Sequence, residues 1–337
     1  MSESAVDAAG RDAARQEGSG AKIDCKIDWR EFLLNYNIIL VLLLLCVGLS
    51  LYTDRFLNQE NIINITRQVS INGILAIGMT VVVLTGGIDL SVGSLVALSG
   101  VVTAVGLRDY HMGLALVIPL SLLVGLFMGS INGYFVAYCR AAPFVVTLAM
   151  MTAARGLTYV YSKGRPISPL PAEFLFIGKG NLWIIPIPVI IFLLTFLLGY
   201  LLLSYFRIGR YIYAVGGNET AAIVSGINAK RVKLFAYAFS GLLCGLAAVI
   251  LTARVSAGLP QAGSSYELDA IAATVIGGTS LSGGRGRLWG TLVGALILGV
   301  VNNGLDLMEI TSFYQQIVKG VIILGAVLLD SKRHGSS

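Results

Sequence analysis

Apolar runs of bilayer length recur along this chain and are separated by short polar connections. A window of about 20 residues, the length of a helix that spans a bilayer, gives ten candidate helices, near residues 36–53, 68–86, 91–107, 113–137, 143–161, 183–206, 234–253, 268–279, 288–305 and 313–331. The eighth run is too short to cross as an ordinary helix unless residues before it contribute, and Pro260 limits its extension. The pattern predicts an all-α, polytopic membrane protein with about ten transmembrane helices.

Composition agrees with this class. The chain is 56% hydrophobic and 12% charged, and 40 of its 337 residues are glycine, which departs from the average of soluble domains. The net charge of +6 comes mainly from cations in the connections between apolar runs, where lipid headgroups and topology explain them, so we expect a lipid bilayer and no nucleic acid as a partner. The four cysteines are isolated from one another, which favours packing roles over a disulfide or a metal site.

The basic residues indicate the direction of the helices. With ten crossings and a cytoplasmic N-terminus, most Lys and Arg residues fall in cytoplasmic segments, whereas an eighth segment that dips and returns would divide them equally between the two sides. The positive-inside rule therefore favours ten crossings with both termini in the cytoplasm. The expected organisation is a cytoplasmic polar tail over residues 1–35 without a removable signal peptide, a transmembrane domain over 36–331 and a cytoplasmic tail over 332–337.

One polar, basic connection, residues 207–233, lies between two apolar runs. Its centre predicts a turn at Gly216–Gly217, then a short helix and a stop. Asn218 can cap the first free N–H groups, Glu219 suits the positive helix start and Gly226 can adopt the left-handed ending. A small capped helix under a membrane domain suits a partner's groove; the alternative is an ordinary cytosolic loop. The candidate coupling residues are Gly216, Gly217, Asn218, Glu219, Ala221, Ala222, Ser225 and Gly226.

Two glycine-rich connections resemble each other. Residues 86–93 and 277–284 are identical at five of eight aligned positions, which indicates an internal repeat. Transporters often place moving or pathway-lining parts in such segments; the simpler interpretation is that the glycines permit tight turns and that Asp89 and Ser91 cap the third helix. Both interpretations can hold together. The gating candidates in these connections are Gly86, Gly87, Asp89, Ser91, Gly277 and Gly278.

Polar groups inside the apolar runs are the other pathway candidates. A neutral, hydroxyl-rich solute would need amides and hydroxyls rather than fixed charges, although such side chains also hydrogen-bond between helices. Arg155 and Lys319 are the cations within the runs; each could extend to the headgroups, pair with Asp269 or line the pathway. The polar candidates are Asn72, Thr80, Asn132, Thr152, Asn302 and Asn303. Gly125, Gly129 and Gly133 repeat at four-residue spacing, which favours close helix packing.

Several longer stretches carry a family resemblance. They are residues 76–80, 85–94, 209–211, 216–218, 225–228, 266–273, 277–284, 302–305 and 315–320. Jointly they resemble the permease subunits of bacterial ABC importers for monosaccharides, of the ribose, xylose and autoinducer-2 type, from about Phe56 to Asp330. The resemblance implies an inner-membrane homodimer, two ATPase subunits docked beneath it on the segment 216–227, and a periplasmic binding protein that delivers a small sugar.

The chain has no phosphate-binding loop of the form Gly-x-x-x-x-Gly-Lys-Ser/Thr; residues 283–287 are glycine-rich and basic but lack the Lys-Ser/Thr ending. We therefore expect no cofactor in this chain, with ATP and Mg²⁺ used by the partner ATPase, and no enzymatic activity. The rival hypotheses are a permease of the same family for a non-sugar solute and an ion-coupled carrier, which would ordinarily need a carboxylate in the middle of an apolar run. An intramembrane enzyme is a further rival, but the two histidines, His111 and His334, lie outside the runs.

Overall fold

The computed structural model describes the backbone of residues 29–334, and the side chains from Ile38 onward except at residues 312, 326 and 329–334. The predicted tails, 1–35 and 332–337, lie largely outside these residues. The compact unit Ile38–Ser337 contains the contacts that hold the helices together.

The described residues form thirteen helices and one two-stranded hairpin. Each of the ten predicted apolar runs overlaps a helix, whereas α6, α8 and α9 occupy connections between the runs, and β2 lies at the start of the run 183–206. The elements are α1 Trp29–Tyr52, α2 Gln59–Leu84, α3 Val92–Arg108, α4 Leu114–Ala137, α5 Pro143–Ser162, α6 Ala172–Lys179, β1 Asn181–Leu182, β2 Ile185–Pro186, α7 Ile187–Ser204, α8 Arg207–Gly217, α9 Glu219–Val224, α10 Ala229–Val255, α11 Tyr266–Ile276, α12 Leu288–Leu307 and α13 Ser312–His334.

The chain is a helical, polytopic membrane protein. Among the described residues, six helices are long and apolar enough to span a membrane, namely α2, α4, α5, α7, α10 and α12. Helix α3 and the Ile38–Tyr52 part of α1 are shorter apolar helices. The expected count of about ten crossings therefore stays a prediction.

Helix α10 lies at the centre of the core, in contact with α2, α3, α4 and α6. Its contact with α4 is made by glycines: a β-carbon at Gly125 would overlap the carbonyl oxygen of Gly241, and one at Gly129 would overlap that of Tyr237. The two backbones can approach this closely only because side chains are missing between them. The prediction of close packing from the four-residue glycine spacing is confirmed.

A second packing unit joins α2, α11 and α12. The hydroxyls of Thr80 on α2 and Thr291 on α12 lie 2.8 Å apart, and Thr274 on α11 lies 3.5 Å from Thr80. Small side chains, Ala76 and Ala273 among them, fill the space next to this cluster. These contacts place the end of α11 and the start of α12 beside the end of α2.

Helix α11 has 11 residues, or about 16 Å at 1.5 Å per residue, which is too short to cross about 30 Å of hydrocarbon alone. The segment before it, 256–265, is packed rather than free. Gly258 lies against Gly100 and Ala104 in the middle of α3, and Gly263 lies against Gly93 at its start. Since α11 then ends beside α2, the segment 256–265 and α11 together run from the end of α10 to the face where α2 ends.

Candidate coupling site and polar pathway

Helix α9 forms as the sequence predicts. The side chain of Asn218 accepts a hydrogen bond from the backbone N–H of Ala221 at 2.9 Å, and Gly226 follows the helix with φ of 84°. Glu219 lies in the first turn, where its negative charge suits the helix dipole. Its carboxylate forms an ion pair with the ammonium group of Lys233, at 2.6 Å. The pair joins the short helix to the start of α10. The prediction of a capped helix is confirmed.

The surface of α9 is open to a partner. Only Ala222 is buried, while the apolar side chains of Ile223 and Val224 are 55% and 84% exposed. A cavity of about 880 Å³ lies between α9 and the turn from α4 to α5, with Arg140 and Lys230 among its lining residues. Exposed apolar side chains beside basic groups are typical of a surface that another protein covers.

The sequence interpretation was wrong for Gly216 and Gly217. They do not form a turn; they are the last two residues of α8, which buries Ile212 and Val215. Tertiary packing explains the difference, because the end of α8 is held against the carbonyl oxygen of Leu84, where only a glycine fits. Near this end, Tyr213 donates a hydrogen bond to the carbonyl of Gly286 at 3.0 Å. Burial raises the pKa of the Tyr213 phenol, which favours the protonated donor form.

The two glycine-rich connections begin alike but are offset by one residue from their sequence alignment. Gly86 and Gly278 have φ of 79° and 83°, and each ends its helix in the left-handed conformation. The next residue donates in both cases to the carbonyl five residues earlier: Gly87 to Val82 at 3.2 Å, and Thr279 to Thr274 at 3.1 Å. The turns then differ in length, since α3 begins at Val92 and α12 begins only at Leu288.

The two glycine connections and the end of α8 meet in one place. The backbone N–H of Gly284 donates to the carbonyl of Leu84 at 3.0 Å. A β-carbon at Gly216 would overlap that same carbonyl oxygen, and one at Gly283 would lie 2.8 Å from the nitrogen of Gly86. Three segments that the sequence analysis treated separately are therefore in backbone contact. We call this set of contacts, made by Leu84, Gly86, Gly216, Gly283 and Gly284, the glycine clasp.

Asp89 is fully buried and organises the connection between α2 and α3. Its carboxylate accepts hydrogen bonds from the backbone N–H of Ser91 at 3.0 Å and from the hydroxyls of Ser91 and Ser240 at 2.6 and 3.2 Å. Asn132 on α4 donates to the Ser91 hydroxyl at 2.9 Å. The network thereby links the connection to both α4 and α10.

The prediction that Asp89 and Ser91 cap α3 was wrong in its chemistry. Ser91 occupies the N-cap position, but its side chain accepts no hydrogen bond from the helix. The reason is that the Ser91 hydroxyl donates its hydrogen bond to the buried carboxylate of Asp89, while the amide of Asn132 donates to the Ser91 hydroxyl oxygen.

The charged candidates Lys319 and Arg155 contact the first turn of α11 and the segment before it. Lys319 on α13 pairs with Asp269 at 2.9 Å, one of the alternatives that the sequence left open. Arg155 on α5 instead donates to the backbone carbonyls of Pro260 and Ala262, at 2.8 and 2.9 Å, and so holds the segment before α11. Glu267, whose position the sequence did not indicate, is a second carboxylate in the first turn of α11 and lies against Gly93 at the start of α3.

The polar candidates separate into partnered and unpartnered groups. Thr80 lies in the threonine cluster, and Thr152 is exposed and donates to Ala149 on its own helix at 2.8 Å. Asn303 forms a reciprocal amide pair with Asn61, at 3.0 and 2.7 Å, which the sequence analysis missed. Within the described residues, both side-chain amide atoms of Asn302 and the carbonyl oxygen of the Asn72 side chain are buried without a hydrogen-bond partner.

Comparison with known proteins places the chain among transport permeases. A family model described as the permease component of branched-chain amino acid transport systems matches residues 61–327. The ribose import permease protein RbsC of Bacillus subtilis is 50% identical over 294 residues, covering 87% of this chain and 91% of that protein. RbsC of Haemophilus influenzae is 47% identical over 304 residues, covering 89% and 94%.

The xylose transport system permease protein XylH of Escherichia coli is 37% identical, covering 82% of this chain and 86% of that protein. No solved structure matches the chain. The family match covers most of the apolar runs, the segment 207–233 and both glycine connections, and the resemblance drawn from the sequence is confirmed. The chain belongs to this family of transport-system permease components.

Proposed function

We propose that the chain is the membrane-spanning subunit of an ATP-driven importer in the bacterial inner membrane, which moves a monosaccharide such as ribose or a related pentose into the cytoplasm. The ribose and xylose permeases that resemble it over most of their length support this cargo. A periplasmic binding protein delivers the sugar, as the permease class implies.

The exposed, capped helix α9 is the single observation that carries the ATP-driven mechanism. A partner ATPase that receives Ile223 and Val224 in a cleft can move α9 when it closes on ATP and Mg²⁺. That movement biases the membrane domain between inward-open and outward-open states, because the partner binds one state better than the other. The chain itself transports and carries no cofactor, and the ATPase is a separate subunit.

Ten crossings with both termini in the cytoplasm are part of this proposal. The packed path of segment 256–265 along α3 supports an eighth crossing, since it supplies the length that α11 lacks. The basic residues support the orientation, because α9 and its cations would then face the ATPase.

A second copy of the chain completes the channel in this proposal. Helix α5 buries only Thr147, Ala154, Thr158 and Ser162 among its 20 residues and leaves Thr152 exposed. Polar side chains on membrane helices often face another helix. The exposed hydroxyl of Thr152 therefore supports a second protein chain beside α5, in addition to lipid.

Buried amides support a sugar as the cargo. Among the described residues, both amide atoms of Asn302 and the acceptor oxygen of Asn72 have no hydrogen-bond partner. Such buried atoms cost free energy unless water or a passing solute satisfies them. Sugar hydroxyls can serve in both roles, donor and acceptor.

Transport by proteoliposomes tests the proposal. The chain is reconstituted with an ATPase subunit and a periplasmic binding protein from the same organism, and uptake of radiolabelled ribose and xylose is measured with and without internal ATP. We expect uptake only with ATP and both partners. Full uptake by the chain alone, or uptake that follows membrane potential instead of ATP, would refute an ATP-driven importer.

A cargo other than a sugar is the second candidate. The family model that matches residues 61–327 is described by branched-chain amino acid transport. Radiolabelled leucine in the same proteoliposomes separates the two, because ATP-dependent uptake of leucine in place of ribose or xylose would assign the chain to the amino-acid branch.

A further inference from the structure

We propose that the glycine clasp is the joint through which the coupling helix moves both glycine connections at once. This proposal rests on the proposed function, in which a partner ATPase displaces α9. The clasp contacts both the connection 85–91 and the connection 277–287. A movement of α9 would therefore displace the two repeat-like halves of the membrane domain together.

The contacts of the clasp are between backbones. Gly216 lies against the carbonyl oxygen of Leu84 and the nitrogen of Gly284, and Gly283 lies against the nitrogen of Gly86. The hydrogen bond from Gly284 to Leu84 closes the arrangement at 3.0 Å. Backbone atoms in van der Waals contact have no side-chain rotamers to absorb a displacement, so movement of one segment passes to the others.

Helix α8 connects the clasp to α9. Asn218, the N-cap of α9, immediately follows the last residue of α8, and its own N–H donates to the carbonyl of Ala214 at 3.1 Å. The hydrogen bond from Tyr213 to the carbonyl of Gly286 is a second contact between α8 and the connection 277–287. A displacement of α9 therefore reaches the clasp through one residue and a continuous helix.

Each connection leads from the clasp into the membrane domain. The connection 85–91 carries Asp89, whose bonds through Ser91 and Ser240 reach α4 and α10. The connection 277–287 joins α11 to α12, next to the threonine cluster. The clasp is thus the place where one cytoplasmic movement can be delivered to both groups of helices.

Gly48 offers a control outside the coupling segment. A β-carbon at Gly216 would overlap two backbone atoms, whereas one at Gly48 in α1 would have no atom of the described residues within 4 Å. Gly216→Ala and Gly48→Ala therefore add the same methyl group to a helical residue, and only the first disturbs the clasp.

The functional test compares these variants in the complete complex with ATPase and binding protein. For Gly216→Ala we expect the subunits to co-purify and ATP hydrolysis to persist, while ribose uptake per ATP falls by about ten-fold or more, within the range of ordinary coupling free energies. For Gly48→Ala we expect both rates within about two-fold of the parent. Equal uptake per ATP in the two variants would overturn the proposal.

A gentler variant covers the case in which Gly216→Ala does not assemble. Tyr213→Phe removes only the hydroxyl that donates to Gly286, and Tyr211→Phe makes the same change at an exposed neighbour. We expect Tyr213→Phe to lower uptake per ATP by about three-fold or more, and Tyr211→Phe to leave it unchanged. Identical behaviour of the two phenylalanine variants would count against the clasp.

Hydrogen exchange on the chain alone separates the clasp from the proposed function. In lipid nanodiscs without ATPase, Gly216→Ala or Tyr213→Phe should speed amide exchange in both connections, 85–91 and 277–287, relative to its control. Acceleration confined to one connection, or none, would overturn the clasp whatever the transport result. Absence of ATP-dependent uptake in the parent complex would instead refute the proposed function.

Discussion

The ammonium group of Lys319 lies 2.9 Å from the carboxylate of Asp269, and the two side chains are 18% and 4% exposed. The pair joins α13 to the first turn of α11, the short helix whose approach segment is held by Arg155. A cationic partner offsets much of the desolvation cost of a nearly buried carboxylate. Lys319 therefore holds the first turn of α11 through an ion pair, and Arg155 holds the segment before it through hydrogen bonds to backbone carbonyls.

Removing one partner of this pair should cost more than removing both. We expect Lys319→Met to lower the free energy of unfolding by about 3 kcal/mol, because it leaves Asp269 buried and uncompensated, and the double variant Lys319→Met with Asp269→Asn to recover much of that loss. Thermal unfolding of the purified protein in one detergent measures both. A double variant less stable than Lys319→Met would contradict the ion-pair explanation.

The glycine contact between α4 and α10 gives a prediction with an internal control. Gly125→Ala places a methyl group against the backbone of Gly241, and we expect it to lower the free energy of unfolding by about 1–3 kcal/mol. Gly156→Ala, in α5, adds the same group where no atom of the described residues lies within 4 Å of it. Since alanine is the better helix former, this variant should be neutral or up to about 1 kcal/mol more stable. Unfolding temperatures that fall equally in both would show that the close crossing is not responsible.

The sequence predicts those features of the fold that depend on local pattern. Apolar length located a helix at each of the ten expected runs, and the order Asn218, Glu219, Gly226 specified a capped helix because each residue acts on its own helix end. The glycine spacing on α4 predicted close packing because i, i+4 positions share one face.

Features decided by distant contacts were not predictable in this way. Gly216 looks like a turn residue in the sequence, yet it ends a helix because Leu84, more than a hundred positions earlier, lies against it. Ser91 has the right chemistry for a cap, but Asp89 and Asn132 occupy its hydroxyl. The alignment of residues 86–93 with 277–284 matched identical letters, whereas the structure matches the left-handed residues Gly86 and Gly278.

The exposed valine of α9 should contribute to partner binding and little to stability. Val224 is 84% exposed at the end of the helix, so Val224→Glu places a charge where we expect an apolar cleft of the ATPase. We expect ATPase affinity to fall by about ten-fold or more with an unchanged unfolding temperature. Surface plasmon resonance on nanodisc-embedded protein measures the affinity.

Trp183 provides the control for that experiment. It is 96% exposed on the hairpin turn between β1 and β2, which would lie on the opposite side of the membrane in the proposed ten-crossing topology. Trp183→Glu should leave ATPase affinity unchanged. A loss of affinity that is equal in the two variants would mean that α9 is not the docking element.

The neighbouring amides of α12 should respond in opposite ways to the same substitution. Asn303→Leu leaves Asn61 without its reciprocal partner, and we expect it to lower the free energy of unfolding by about 1–3 kcal/mol. Asn302→Leu removes amide atoms that are already unpaired in the described residues, so stability should be unchanged or higher.

If Asn302 meets the sugar, the same variant should reduce ATP-dependent uptake by about five-fold or more, through the loss of a hydrogen bond to a hydroxyl. Unfolding temperature and ribose uptake, measured on both variants, separate the two roles; a stable Asn302→Leu protein with undiminished uptake would remove Asn302 from the pathway.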